Sequence, residues 1–329
     1  MTSRQHARIA LYSLGGTIAM TPQASGGVAP ALSARELLSA VPGLAETGIE
    51  VDVHDFRRLP GASLSFGDLR ALATDIKARV ADGVDGIVVT QGTDTIEETA
   101  FLLDLLHTGD APLVITGAMR SATAAGADGP ANLLASLRTA ANRKARGLGC
   151  LVVFADEIHA ARYVRKTHAS SITAFTSQPG PIGYLVEGQV HVPLRPARGP
   201  QLADAQLDSP PGVAVVPAVL GDDGRVLAAV AGQVDGLVVG GFGVGHVPAA
   251  WVPILADAAA RVPVVLTSRA GTGSVHASTY GFAGSERDLL DRGLISAGSL
   301  DTYKARILLT LLLAGKAERA EIVAAFGLY

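Results

Sequence analysis

Short, unbroken runs of apolar and β-branched residues recur along this chain, separated by stretches long enough for a helix. In the first two thirds such runs lie at residues 9–14, 51–56, 86–90, 113–116 and 150–154, and helix-length segments fall at 34–41, 65–80, 95–107 and 130–142. A strand that is apolar on both faces must be covered on both, and helical crossovers between parallel strands provide that cover. The pattern predicts an α/β domain built on a mainly parallel sheet flanked by helices. One helix carries its own start signal: Ser65 with Asp68 three residues on places Ser65 at the N-cap.

Residues 193–211 interrupt the alternation. They read PLRPARGPQLADAQLDSPP, with five prolines and little periodicity, which is the composition of a linker. Beyond them strands are predicted at 213–219, 235–239 and 262–267, and helices at 251–261, 301–314 and 317–326. The expected organisation is therefore two α/β domains: a larger one over 1–192, a linker over 193–212 and a smaller C-terminal one over 213–329. A length of 329 residues suffices for both.

Composition narrows the classes of function. Charged residues make up 17%, below the roughly 25% of an average soluble domain, so large buried layers and a subunit interface are expected. A formal net charge of −3 gives no general attraction to nucleic acid or to an anionic membrane. The apolar runs fall short of the roughly 18 residues a membrane span needs. The first residues lead into the first strand without an apolar leader core, so the expected compartment is the cytoplasm. Cys150, the lone cysteine, precedes Leu-Val-Val-Phe and reads as a buried strand residue without thiol chemistry. The eight histidines include no His-x-x-x-His pair; His159 and His168 read as structural, and no metal site is expected.

Two turns carry the chemistry. Gly15-Gly16-Thr17-Ile18-Ala19 follows the first strand, and the segment from Gln91 to Thr99, QGTDTIEET, follows the third. In open α/β sheets ligands sit beyond the carboxyl ends of strands, so both turns can serve one pocket. A threonine hydroxyl is a poor nucleophile until a neighbour activates it. Asp94 with Glu97, or Thr95 with Glu98, also fits a capping box, while the same helix start offers free N–H groups to a substrate carboxylate or an oxyanion. The glycines permit tight packing or a cradle, but they match neither a P-loop nor a dinucleotide fingerprint. Lys166 is the candidate base; the alternative is a solvated surface lysine.

These residues resemble the bacterial-type L-asparaginases, amidohydrolases with a threonine nucleophile. The resemblance rests on SLGGTIA at 13–19 and VTQGTDTIEETA at 89–100, with TGAMR at 116–120, DGPANL at 128–133, VRKT at 164–167 and YKAR at 303–306 in family order over nearly the whole length. It implies that Thr17 attacks the side-chain amide of L-asparagine, forming a β-aspartyl ester that water then cleaves to aspartate. Ammonia leaves in the first half-reaction. It implies that Lys166 keeps Thr93 ready to relay a proton and that Asp94 binds the substrate α-ammonium. The substrate-binding positions it implies are Gly16, Ser63, Gly92, Thr93, Asp94, Ala118 and His246. It implies no metal or organic cofactor, and a homodimer or homotetramer in which one subunit completes another's site.

The chain departs from the family pattern in four places. The loop at 20–29 lacks the tyrosine many members carry; Gly27 falls nearest that position. The family's substrate-binding Ser-Gln pair falls near Gly61-Ala62, so Ser63 serves the α-carboxylate only with a shift of register. A glutamate donated by the neighbouring subunit aligns with Tyr280, and an asparagine with His246. Tyr280 is therefore the candidate to supply the missing phenol from a neighbouring subunit; the alternative is a packed tyrosine before Gly281. Rival functions are a glutaminase-asparaginase of broader specificity, an amidase domain feeding ammonia to a transamidation partner, and a non-catalytic amino-acid sensor. A sensor has no need to keep Thr17, Thr93 and Lys166 together.

Overall fold

The computed structural model describes residues 6–22, 28–30 and 33–329. It divides into two compact units, one ending at Gln201 and one spanning Leu202–Tyr329. The division falls inside the proline-rich stretch, which forms no regular element. The first residues of that stretch are fastened to the first unit. The Arg195 guanidinium donates to the Lys144 and Arg146 carbonyls, and Arg198 donates to those of Asp104, His107 and Gly109.

In the first unit the strands are β1 (Arg8–Ser13), β2 (Met20–Pro22), β3 (Val28–Pro30), β4 (Glu50–Asp55), β5 (Gly86–Thr90), β6 (Leu113–Thr116), β7 (Cys150–Phe154), β8 (Glu157–Ala160), β9 (Val164–Lys166), β10 (Phe175–Ser177), β11 (Gly183–Val186) and β12 (Gln189–His191). The helices are α1 (Ala34–Ser39), α2 (Phe66–Ala81), α3 (Ile96–Leu106) and α4 (Gly129–Ala141). Eight strands form one sheet in the order β12-β11-β8-β7-β6-β5-β1-β4. From β4 to β7 the pairing is parallel. The β8, β11 and β12 margin is antiparallel. Every residue of β5, β6 and β7 is buried, as strands covered on both faces must be. Leu133, Leu137 and Ala140 of α4 pack with Ile9, Leu11, Val88, Val114 and Leu151 in one cluster. Along α2 the buried residues Leu69, Leu72 and Ile76 form one helical stripe.

Strand register sets up the site. Ser13 lies opposite Thr90, and Thr90 opposite Thr116, so β1, β5 and β6 end in one row and their following turns emerge level. Gly16 then has a φ of +91°, and a Cβ built on it would lie 2.1 Å from the Gly92 nitrogen and 2.4 Å from its Cα. A Cβ on Gly61 would lie 2.8 Å from the Gly92 carbonyl oxygen. Three backbone segments therefore touch with no side chain between them.

The second unit holds a parallel sheet in the order β13 (Val213–Pro217), β14 (Gly236–Gly241), β15 (Val264–Ser268), β16 (Ile295–Ser296). Its helices are α5 (Arg225–Ala231), α6 (Val252–Ala259), α7 (Glu286–Asp291), α8 (Thr302–Ala314) and α9 (Arg319–Phe326). Trp251, Leu255, Leu227 and Leu289 pack with Val239 and Leu266 in its core. Asp301 caps α8: one carboxylate oxygen accepts from the Tyr303 and Lys304 amides, the other from the buried Lys304 Nζ at 2.8 Å. Among the described residues no helix is long and apolar enough to cross a membrane, and no group of three or more His, Cys, Asp or Glu could hold a metal ion.

Two stability predictions follow from these contacts. Ser65 Oγ accepts from the Asp68 amide at 3.1 Å and donates to Asp68 Oδ2 at 2.6 Å. That hydroxyl, and then the Arg57 guanidinium, hold the Asp68 carboxyl below its usual range. A carboxyl depressed on folding stabilises above its unfolded value and loses that contribution as pH falls through the folded one. Ser65→Ala should cost about 1 kcal/mol at pH 7, with the deficit shrinking below about pH 4, as read by urea unfolding at both ends of that range. Gly16→Ala combines overpacking with left-handed strain and should cost roughly 2–4 kcal/mol; an unchanged unfolding free energy would contradict the backbone contact.

Candidate active site

The turn after β5 runs through Thr93–Thr95 as a single 3-10 turn and continues into α3. The capping boxes expected from Asp94 with Glu97, or Thr95 with Glu98, do not form: Asp94 Oδ1 is bonded to Lys166, and Thr95 makes no side-chain cap bond at the start of α3. Each group has other work. Thr95 Oγ1 donates to the Gly61 carbonyl at 3.0 Å. Glu97 Oε2 accepts from the Lys166 backbone amide at 2.9 Å. Asp94 Oδ1 accepts from Lys166 Nζ at 2.8 Å.

Lys166 is not the solvated surface lysine of the alternative reading. Its ammonium donates both to Asp94 Oδ1 and to Thr93 Oγ1, the latter at 2.9 Å, and its side chain is 13% exposed. The Asp94 side chain is 71% exposed. Among the described residues its Oδ2 has no partner, so a carboxylate oxygen faces the open side of the site. Because the Thr93 oxygen accepts from the ammonium, its own hydroxyl hydrogen is left to point elsewhere. The lysine is positioned from two sides. β9 pairs with β10, with Phe175 opposite Lys166, and Glu97 fastens the lysine's backbone to α3, the helix that Asp94 precedes.

Thr17 opens the 3-10 turn Thr17–Ala19 directly after Gly16, whose backbone lies against Gly92. Thr17 and Thr93 thus follow, one residue on, two glycines in contact. Ile18 is buried and shares a core cluster with Ala118. A Cβ on Gly117 would lie 2.6 Å from the Gln91 carbonyl oxygen and 3.3 Å from Thr93 Cγ2, which brings the third strand end against the second. That turn is held from below. Asp128 accepts from the Met119 and Arg120 amides, and Asn132 donates to the Gly117 carbonyl and accepts from the Ala155 amide. Ser63 is exposed at the far end of the 3-10 turn Gly61–Ser63, whose Gly61 touches Gly92.

Gly16, Thr17, Gly92, Thr93, Asp94, Lys166 and Ala118 therefore gather at the carboxyl ends of β1, β5 and β6, with the Ser63 turn alongside. Gly27 lies outside the described residues. Tyr280 and His246 belong to the second unit, where their rings meet edge to face with centroids 4.8 Å apart. His246 Nε2 lies 3.1 Å from Glu286 Oε2, and Glu286 Oε1 accepts from the Thr279 and Tyr280 amides. Tyr280 is 42% exposed, and its ring also lies near that of Phe282.

The sequence reading assigned no site role to Gln91, Glu97, Asp128 or Asn132. All lie inside motifs that carried the resemblance, and a polar residue in an otherwise buried strand–turn–helix segment was the available signal. His159 is buried, and burial pushes its ring down to about 4; it shares a hydrogen bond with Ser177 Oγ at 2.9 Å. His168 Nδ1 accepts from the Ser170 and Ser171 amides. Burial pushes the Cys150 thiol up, so no thiolate forms there.

The family model described as "Asparaginase, N-terminal" matches residues 8–198, and "Glutaminase/Asparaginase C-terminal domain" matches 212–326. A probable L-asparaginase of Deinococcus radiodurans is 38% identical over 320 residues, covering 96% of this chain and 95% of its own. The L-asparaginase of Bacillus licheniformis is 36% identical over 317 residues, covering 94% and 97%. The crystal structure of a probable cytoplasmic L-asparaginase from Campylobacter jejuni superposes with a TM-score of 0.88 at 32% identity, covering 98% of this chain and all of that one. With both domain models matched in order and relatives aligned end to end, the chain belongs to the asparaginase family.

Proposed function

We propose that this protein is an L-asparaginase that hydrolyses L-asparagine to L-aspartate and ammonia through an acyl-enzyme on Thr17. The observation that carries the reading is the Lys166 ammonium bonded to both the Thr93 hydroxyl and the Asp94 carboxylate, beside the glycine contact that seats Thr17. Thr17 Oγ bonds to the side-chain amide carbon. Its proton passes to the departing nitrogen, the C–N bond breaks and ammonia leaves. Water then attacks the ester, the bond to Thr17 Oγ breaks, and one proton of that water restores the threonine hydroxyl. Thr93, backed by Lys166, carries these protons, the arrangement of nucleophile, relay and orienting group without a histidine. The exposed Asp94 oxygen takes the substrate α-ammonium, Ser63 the α-carboxylate, and backbone N–H groups after Gly92 the oxyanion. Gly16, Gly92 and Ala118 complete the set of substrate-binding positions. The chemistry calls for no cofactor.

In this reading the active form is a homodimer or homotetramer, and Tyr280 and His246 serve the site of a neighbouring subunit. Its support is the half-exposed Tyr280 phenol on an anchored backbone. A cytoplasmic location follows the naming of the Campylobacter relative.

Thr17→Ala should abolish ammonia release while leaving aspartate binding intact. Wild-type kcat/KM should favour asparagine over glutamine, whose extra methylene is worth ~1–3 kcal/mol in a fitted pocket. Inactive Thr17→Ala protein unfolded and refolded together with Tyr280→Phe protein should regain activity that neither has alone, because mixed assemblies contain an intact Thr17 facing an intact Tyr280. An active monomer in sedimentation, or a Tyr280→Phe enzyme with wild-type kcat, would rule out the shared site.

A further inference from the structure

A chain of hydrogen bonds ties the two turns that flank the proposed substrate head. The Thr95 hydroxyl has one hydrogen and donates it to the Gly61 carbonyl at 3.0 Å. Its oxygen then accepts from Gln91 Nε2 at 3.3 Å, and the same amide group donates to the Gly92 carbonyl at 3.2 Å. With the Thr95 hydrogen committed to Gly61, turning the Gln91 amide over would set its oxygen against two acceptors. Gln91 is fully buried, and among the described residues its Oε1 has no hydrogen-bond partner. A buried donor group kept at that cost has a geometric task.

That task is spacing. Gly61 and Gly92 meet as bare backbone, and a Cβ on Gly61 would lie 2.8 Å from the Gly92 oxygen and 3.2 Å from Thr95 Oγ1. With no Cβ atoms between them, the turns are tied across the contact by the Thr95–Gly61 bond, which the Gln91 side chain braces. One turn ends in Ser63, and the other carries Thr93 and Asp94. We infer that Thr95 and Gln91 are positioning residues that hold the carboxylate-binding turn at Ser63 in register with the ammonium-binding Asp94, and so set affinity for the α-amino-acid head of the ligand. The inference rests on the reading of Ser63 and Asp94 given above. It concerns binding of the head, not attack on the amide, because none of the three bonds involves Thr17 or Lys166.

The test uses the full-length protein and L-aspartate, the proposed product, as the binding probe. Thr95→Val keeps the shape and removes the hydroxyl; Thr95→Ser keeps the hydroxyl. By calorimetry Thr95→Val should bind aspartate roughly tenfold more weakly, and its KM for asparagine should rise by a similar factor with kcat within about threefold, the signature of lost uniform binding. Thr95→Ser should stay within about twofold of wild type in both quantities. Gln91→Met, which keeps length without the donor, should move Kd and KM in the direction of Thr95→Val and serves if that variant does not fold. A Thr95→Val or Gln91→Met protein with wild-type Kd and KM, and only a lower melting temperature or a lower active fraction, would overturn the inference. Aspartate affinity is read without turnover. A wild-type protein that binds aspartate but releases no ammonia would sink the hydrolase reading and leave the Kd comparison to decide this one.

Discussion

Backbone meets backbone at Gly16, Gly92 and Gly61, and the rest of the site depends on that contact. Parallel register brings β1 and β5 to the same row, yet two turns bearing ordinary side chains would still be held apart by their Cβ atoms. Glycine at 16 removes that spacer and supplies the positive φ the turn needs. The residue after each glycine is a threonine, so the contact converts two segments some 75 positions apart in sequence into one surface, a span set by the chain numbering itself. The nearness of the two threonine positions is a consequence of close packing between main chains.

The second requirement is a cation held still. Lys166 sits on a strand of three residues, a short element with little stability of its own. Its backbone amide is taken by Glu97, and its ammonium by Thr93 and Asp94. All four residues are thereby tied to one turn of chain at the start of α3. An exposed ion pair of this kind is worth little to stability, ~0–1 kcal/mol, because Asp94 is largely in water. Its value is orientation: the ammonium is aimed at a hydroxyl, and the carboxylate keeps one oxygen turned outward.

The parallel half of the large sheet was legible because β5, β6 and β7 are runs of mostly apolar residues, buried at every position, and such a run has no stable place except between two covering layers. The antiparallel margin was not. β11 and β12 are three or four residues long and alternate between buried and exposed, a pattern shared with many loops. Helices α5 and α7, of seven and six residues, were also too short to show a period. At the site, Thr17, Thr93, Asp94 and Lys166 were found through motif resemblance. The local signal at residues 94–98 was read partly as capping, since Asp, Thr and Glu near a helix start suit a cap and a catalytic turn equally well. Only the tertiary partners, Gly61 and Lys166, separate the two. No spacing rule could reveal them, because each comes from a different stretch of chain.

The second unit raises the same question about Tyr280. The residue is half exposed, its ring stands against His246 and Phe282, and its backbone amide is held by Glu286. The fixing group, Glu286, is a carboxylate with no exposed surface. Burial alone would raise its pKa, but the amides of Tyr280, Glu286 itself and Thr279, with the His246 ring, outweigh that and leave the carboxyl below its usual range. An ionised carboxylate is costly to bury, and its donors cluster on the segment that presents Tyr280 and on the ring against which Tyr280 stands. The buried carboxylate therefore fixes the backbone that carries the half-exposed Tyr280.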